Sequence, residues 1–118
     1  MKSLAPVGIC PWSLRELFNA RDFPQLIHDG VVADRLKDEY LTPASRGEPP
    51  GTLSQTRSYV HLGIGRVAVV FQYRRPDGSL GGSGLPDPKM LVDGQDALFP
   101  NHEDHEHCDE CRPRTSYV

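Results

Sequence analysis

Arg66-Val-Ala-Val-Val-Phe-Gln-Tyr-Arg-Arg75 is the stretch on which the fold class turns. Side chains on a strand point alternately to its two faces. Val67, Val69, Phe71 and Tyr73 would then share one face, and Ala68, Val70 and Gln72 the other. Val69-Val70-Phe71 is apolar on both faces, the pattern of a central strand covered on two sides. Its β-branched and aromatic residues suit a pleated, half-buried surface. The expectation is that Val69 sits in the core with Val67 and Phe71, facing the helices.

Upstream, Ser58, Val60 and Leu62 alternate with Arg57, Tyr59 and His61, and Gly63-Ile64-Gly65 makes the turn of a hairpin. Downstream, Pro76-Asp77-Gly78 has proline where a β-turn accepts it. A short strand near Ser79 is confined to an edge by Gly81-Gly82-Ser83-Gly84 and Pro86-Asp87-Pro88. Lys89 to Val92 supplies a last pairing before the Asp93-Gly94 turn. Toward the N-terminus, Ser13 and Glu16 have the spacing of a capping box, with Trp12 and Leu17 at staple positions. They predict a helix from about Leu14 to Ala20, with Pro24 barring its continuation. Leu26 and Ile27 suggest a single turn. Val32, Leu36 and Tyr40 recur at helical spacing and predict a second helix from about Val31 to Leu41. Thr42 to Gln55 reads as a loop.

The architecture expected is α+β: two N-terminal helices packed on a small antiparallel sheet, followed by a polar His/Cys-rich C-terminal tail. Residues 1–98 would form the single α+β domain and residues 99–118 the acidic tail. The 118-residue length allows one core, and 11 Gly with 11 Pro make it loop-rich. Arg75-Pro-Asp-Gly78 followed by Ser83-Gly-Leu-Pro-Asp-Pro-Lys89 resembles a segment of small uncharacterised bacterial proteins. The resemblance spans about residues 66–94 and implies no function.

Net charge is −3, so a general polyanion binder is disfavoured, because phosphate neutralisation supplies such affinity. The charge is uneven. Residues 1–50 carry −1, residues 51–92 carry +3, and residues 93–118 carry −5. The first residues lack the apolar run of a secretory signal and no membrane span is apparent, which leaves the cytoplasm as the expected compartment. Thiols there stay reduced, so the three cysteines point to metal or free thiols before disulfides.

Chemistry concentrates in the tail. His102, His105, His107, Cys108 and Cys111 lie within ten residues, and Cys-x-x-Cys lets two thiolates meet one zinc ion. One short segment rarely fills a tetrahedron, so Cys10 is the expected distant ligand, with His61 or His28 behind it. Zinc is therefore the expected cofactor. The histidine spacing of a zinc peptidase and the upstream His-x-Glu of a deaminase are absent. Gly81 to Gly84 with Lys89 lacks the spacing of a phosphate loop. A second constellation, His61, Arg74, Arg75, Asp77 and Lys89, would resemble a ribonuclease site if the fold gathered it at one end of the sheet. The function expected is a small intracellular, non-enzymatic interaction module with a zinc-stabilised tail, whose partner is another protein. Its surface would be the open sheet edge or the loop from Thr42 to Gln55. The alternative is a nucleic-acid-directed enzyme, or toxin-like ribonuclease, working through the basic middle.

Overall fold

The computed structural model describes residues 4–101. The elements in chain order are β1 (Ala5–Ile9), α1 (Pro11–Ala20), α2 (Phe23–His28), β2 (Val32–Leu41), a 3-10 turn at Ala44–Arg46, β3 (Leu53–His61), β4 (Gly65–Arg74), β5 (Asp87–Asp93) and β6 (Asp96–Pro100). The six strands form one sheet in the order β1-β6-β5-β4-β3-β2. β1 pairs parallel with β6, and every other pair is antiparallel. The sheet is therefore mixed and larger than expected, and the all-antiparallel α+β reading is corrected.

The largest revision lies at Val32 to Leu41. This stretch is strand β2, not a helix, and pairs with β3 from Val32↔His61 to Leu41↔Leu53. Its apolar spacing fits a helix, but Arg57 and Gln55 of β3 bind Asp34 and Glu39 across the pair. The second helix is instead α2, entered through Asp22 and closed by Gly30, whose φ of 79° turns the chain into β2. The first helix begins earlier than the capping box indicates. Pro11 takes its first position, Cys10 is the cap residue, and Ser13 lies inside the first turn.

The chain from β1 to β2 passes from one sheet edge to the other, and both helices lie on the same face. Leu14 and Phe18 of α1 and Phe23 of α2 pack on Val32, Tyr59, Val67, Ala68, Val70, Leu91 and Leu98. Phe18, Phe23 and Tyr59 form an aromatic cluster with centroid separations of 5.1, 6.0 and 5.2 Å. Burial, with the Asp34 carboxylate adding to it, pushes the Tyr59 phenol up to about 12.

Register settles which face of β4 is inside. Tyr59, Ala68, Leu91 and Leu98 align across four strands. Ala68 and Val70 are fully buried under the helices. Val69 and Phe71 alternate with them and point to the other face, so the expected placement of Val69 and Phe71 is corrected. Val67 does belong to the core. It is the extra residue where the register shifts opposite Tyr59 and Val60, which sets it beside Ala68 on the inner side.

Candidate binding surface

β1, β2, β4 and β6 all finish at one end of the sheet, called the lower end here. The loops after β2 and β4 meet there. Arg75 Nε donates to Glu48 Oε1 at 2.9 Å, and the Gly82 N–H donates to Glu48 Oε2 at 2.9 Å. One carboxylate thus ties the loop after β2 to two points of the loop after β4, 27 and 34 residues away in sequence. The Arg75 hydrogen bond first, then that of Gly82, hold the Glu48 carboxyl below its ordinary 4.5, against partial burial that pushes it up. Gly81 makes room for the arrangement, since a Cβ there would collide with that carboxylate.

A carboxyl depressed in the folded state stabilises it above the ordinary pKa, and that contribution fades as pH falls through the folded value. The clasp is therefore expected to be intact at neutral pH and to open in acid below about 4.5. In Glu48→Gln the Gly82 amide signal should lose its acid-dependent shift and resemble the acid form of the wild type at all pH values. An unaltered pH profile in the variant would contradict the clasp.

The sheet face away from the helices carries Ser54, Thr56, Val69, Phe71, Tyr73 and Phe99, with Met90 beside Val69. Val69, Phe71, Tyr73 and Met90 are half-buried, and Phe99 is exposed. Phe71 and Tyr73 stand edge to face at 5.1 Å and 86°. Two hollows of about 310 Å³ each share this pair and Lys89. One is completed by Arg15, Gln72, Leu85, Asp87 and the backbone of Gly81, Gly82 and Ser83. The other is completed by Tyr40, Pro43, Arg46 and Ser54. Asp87 binds Arg15 at 3.3 Å and Lys89 at 3.0 Å, so one carboxylate serves two cations. Arg46 adds a third cation, and Arg35, opposite Ser58, a fourth farther up the same face. Among the described residues, Asp38 is the other acid on this face. Among the described residues the surface is locally positive, on a chain whose net charge is negative.

The ribonuclease-like constellation does not assemble. His61 pairs with Gly65, the first residue of β4, whereas Arg74 is the last. Nine residue steps along the strand separate the two ends, about 30 Å. His61 Nδ1 accepts from the Gly63 N–H at 3.0 Å and completes the hairpin turn there. Arg75 serves the clasp, and Asp77 accepts from the Ser79 hydroxyl at 2.6 Å and the Ser79 N–H at 2.9 Å. Those Ser79 hydrogen bonds hold the Asp77 carboxyl below its ordinary value. Lys89 alone of the five joins the hollows.

Of the expected metal ligands, His102, His105, His107, Cys108 and Cys111 lie outside the described residues. Cys10 is buried at the start of α1, and its sulfur is in a disulfide. Among the described residues, no group of three or more His, Cys, Asp and Glu side chains could hold a metal ion. No described helix is long and apolar enough to cross a membrane. No family model, curated protein or solved structure matches the chain.

The hollows escape sequence reasoning because Tyr40, Arg46, Phe71 and Lys89 converge only through the sheet order. The available signal was the double-sided apolar run Val69-Val70-Phe71 in a small domain with too few helices to cover both faces.

Proposed function

We propose that the chain is a non-enzymatic binding module that takes an extended, acidic polypeptide segment on the helix-free face at the lower end of its sheet. The observation that carries this reading is the pair of hollows astride Phe71 and Tyr73, with Arg46 and Lys89 beside them and Arg15 of α1 reaching one of them from the helix side. Alternate side chains of an extended peptide lie about 7 Å apart, so neighbouring apolar groups on one side of it can enter the two hollows. The carboxylates between them point away from the face and act on the rim cations as longer-range attraction, which salt screens.

The face is a better candidate than the β2 edge. β2 carries Asp34, Arg35, Lys37, Asp38 and Glu39, and a register shift interrupts it between Leu36 and Asp38. Charges and a bulge are how edge strands avoid recruiting another strand. The loop expected from Thr42 to Gln55 ends earlier, because β3 begins at Leu53, and it contributes through Pro43 and Arg46, which line one hollow. The nucleic-acid reading draws no support from the separated His61 and Arg74.

The test is calorimetric titration of the full chain with the acidic peptide acetyl-EFELEFE-amide and its counterpart acetyl-KFKLKFK-amide. The acidic peptide is expected to bind with micromolar affinity at low salt and to weaken several-fold at 0.5 M NaCl. Equal affinity for both peptides, or none for either, would refute the proposal. Tighter binding of a single-stranded oligonucleotide than of the acidic peptide would replace it with the nucleic-acid reading.

A further inference from the structure

Gln72 is 8% exposed, and a chain of hydrogen bonds fixes which way its carboxamide faces. Glu39 Oε2 accepts from Gln55 Nε2 at 2.6 Å, which leaves the Gln55 oxygen to accept from its other neighbours. That oxygen accepts from Arg57 Nη1 at 3.2 Å and from Gln72 Nε2 at 2.8 Å. Gln72 therefore gives its nitrogen to Gln55. Its own Oε1 has no hydrogen-bond partner among the described residues. A buried acceptor in that state costs stability until a donor reaches it. Gln72 also lines the first hollow, of about 310 Å³. That hollow lies at an interruption of the sheet. β4 pairs with β5 as far as Phe71↔Asp87, and farther along the same side it meets only the bridge Arg74↔Leu80 among the described residues. Gln72 and Tyr73 stand between the two, so groups from both faces of β4 line one space.

We propose that this hollow is a pocket for a primary carboxamide, the side chain of a glutamine or asparagine in the bound segment, and that Gln72 sets the preference. The inference rests on the peptide-binding reading and adds to it the identity of one anchor. The ligand's NH2 group donates to Gln72 Oε1. Its carbonyl accepts from Lys89, whose ammonium has three donors and gives one to Asp87 at 3.0 Å, or from Arg15. A neutral group that both donates and accepts thus satisfies both kinds of wall. A carboxylate would turn oxygen toward the Gln72 oxygen. An ammonium would meet Arg15 and Lys89. An aliphatic side chain would exclude water and leave the Gln72 oxygen unpaired, the situation in which a polar pocket discriminates most strongly. The second hollow, which lacks Gln72, takes the neighbouring apolar side chain of the segment.

The full chain is titrated by calorimetry with acetyl-EFEQEFE-amide and acetyl-EFEEEFE-amide beside acetyl-EFELEFE-amide. The central residue of each peptide enters one of the hollows whichever neighbouring pair is engaged. The glutamine peptide is expected to bind about fivefold more tightly than the leucine peptide, and the glutamate peptide more weakly than either despite its extra charge. In Gln72→Met the ratio of glutamine to leucine affinity should fall to one or below. Should that variant unfold, the Gln72 side-chain amide signals of labelled wild type serve instead, and they should move more with the glutamine peptide than with the leucine peptide. A glutamine peptide bound no better than a leucine peptide that does bind would overturn this inference and leave the peptide-binding reading standing. A preference that persists in Gln72→Met, or equal movement of the Gln72 signals with both peptides, would overturn the role of Gln72. Binding of none of the three peptides would overturn the inference together with the reading beneath it.

Discussion

Val70→Asp is expected to unfold the domain, whereas Val69→Asp, one residue away, should leave it folded. Val70 is fully buried under α1 and α2, in the cluster with Leu14, Phe18 and Leu91. A carboxylate there has no partner and must either be desolvated or take up a proton. Either course costs several kcal/mol, against a total stability of about 5–15 kcal/mol for a domain of this kind. Val69 faces the other way, half-buried beside Met90 and Ser58, where a carboxylate can reach water. Its replacement should cost about 1 kcal/mol or less. Thermal unfolding followed by circular dichroism separates the two cases. Comparable melting of both variants would mean that the helices do not cover the Val70 face.

Phe71→Ala/Tyr73→Ala is the variant with the largest expected effect on binding. The two rings form the ridge between the hollows, and removing both merges them into one shallow depression. Aromatic anchors at the centre of an interface are each worth about 2 kcal/mol or more on truncation. The double variant is therefore expected to bind acetyl-EFELEFE-amide at least 100-fold more weakly, beyond detection by calorimetry. Neither ring belongs to the core under the helices, so Tm should fall by only a few degrees. Lys89→Glu should weaken binding less and flatten its salt dependence, because Lys89 supplies charge at the rim. Unchanged affinity in Phe71→Ala/Tyr73→Ala would remove the hollows from the account.

The central hairpin was legible in the sequence because β4 alternates over ten residues and its neighbours carry turn signals. The faces of β4 were not. A strand apolar on both sides does not say which side the helices cover, and the choice depends on Leu14, Phe18 and Phe23, all more than 40 residues upstream. β2 misled for a related reason. It is a solvated edge strand with little burial beyond Val32, so it has no two-residue apolar alternation to show. Its Val32, Leu36 and Tyr40 happen to fall four residues apart, which is helical spacing. β1 holds only five residues, including Pro6 and Gly8, and its partner β6 lies some 90 residues away. Local propensity has no means of indicating a parallel pairing of that range. The same separation hid the candidate site. Glu48, Arg75 and Gly82 are ordinary loop residues until the clasp brings them together.

The organisation that results is asymmetric. Helices protect one face and build the core, and the other face is left with half-buried aromatic rings at its lower end. The clasped loops line that end with Gly81, Gly82 and Ser83 on one side and Arg46 on the other. Among the described residues, cations there outnumber acids, while the chain as a whole is negative.

The most direct measurement is a map of backbone amide shifts in isotopically labelled full-length protein as acetyl-EFELEFE-amide is added. The account predicts that the largest changes fall at Tyr40, Arg46, Phe71, Tyr73, Gly82 and Lys89. Leu14, Phe18 and Phe23, under the opposite face, should stay unmoved. Changes centred on α1 and α2, or confined to the backbone of the β2 edge, would contradict it.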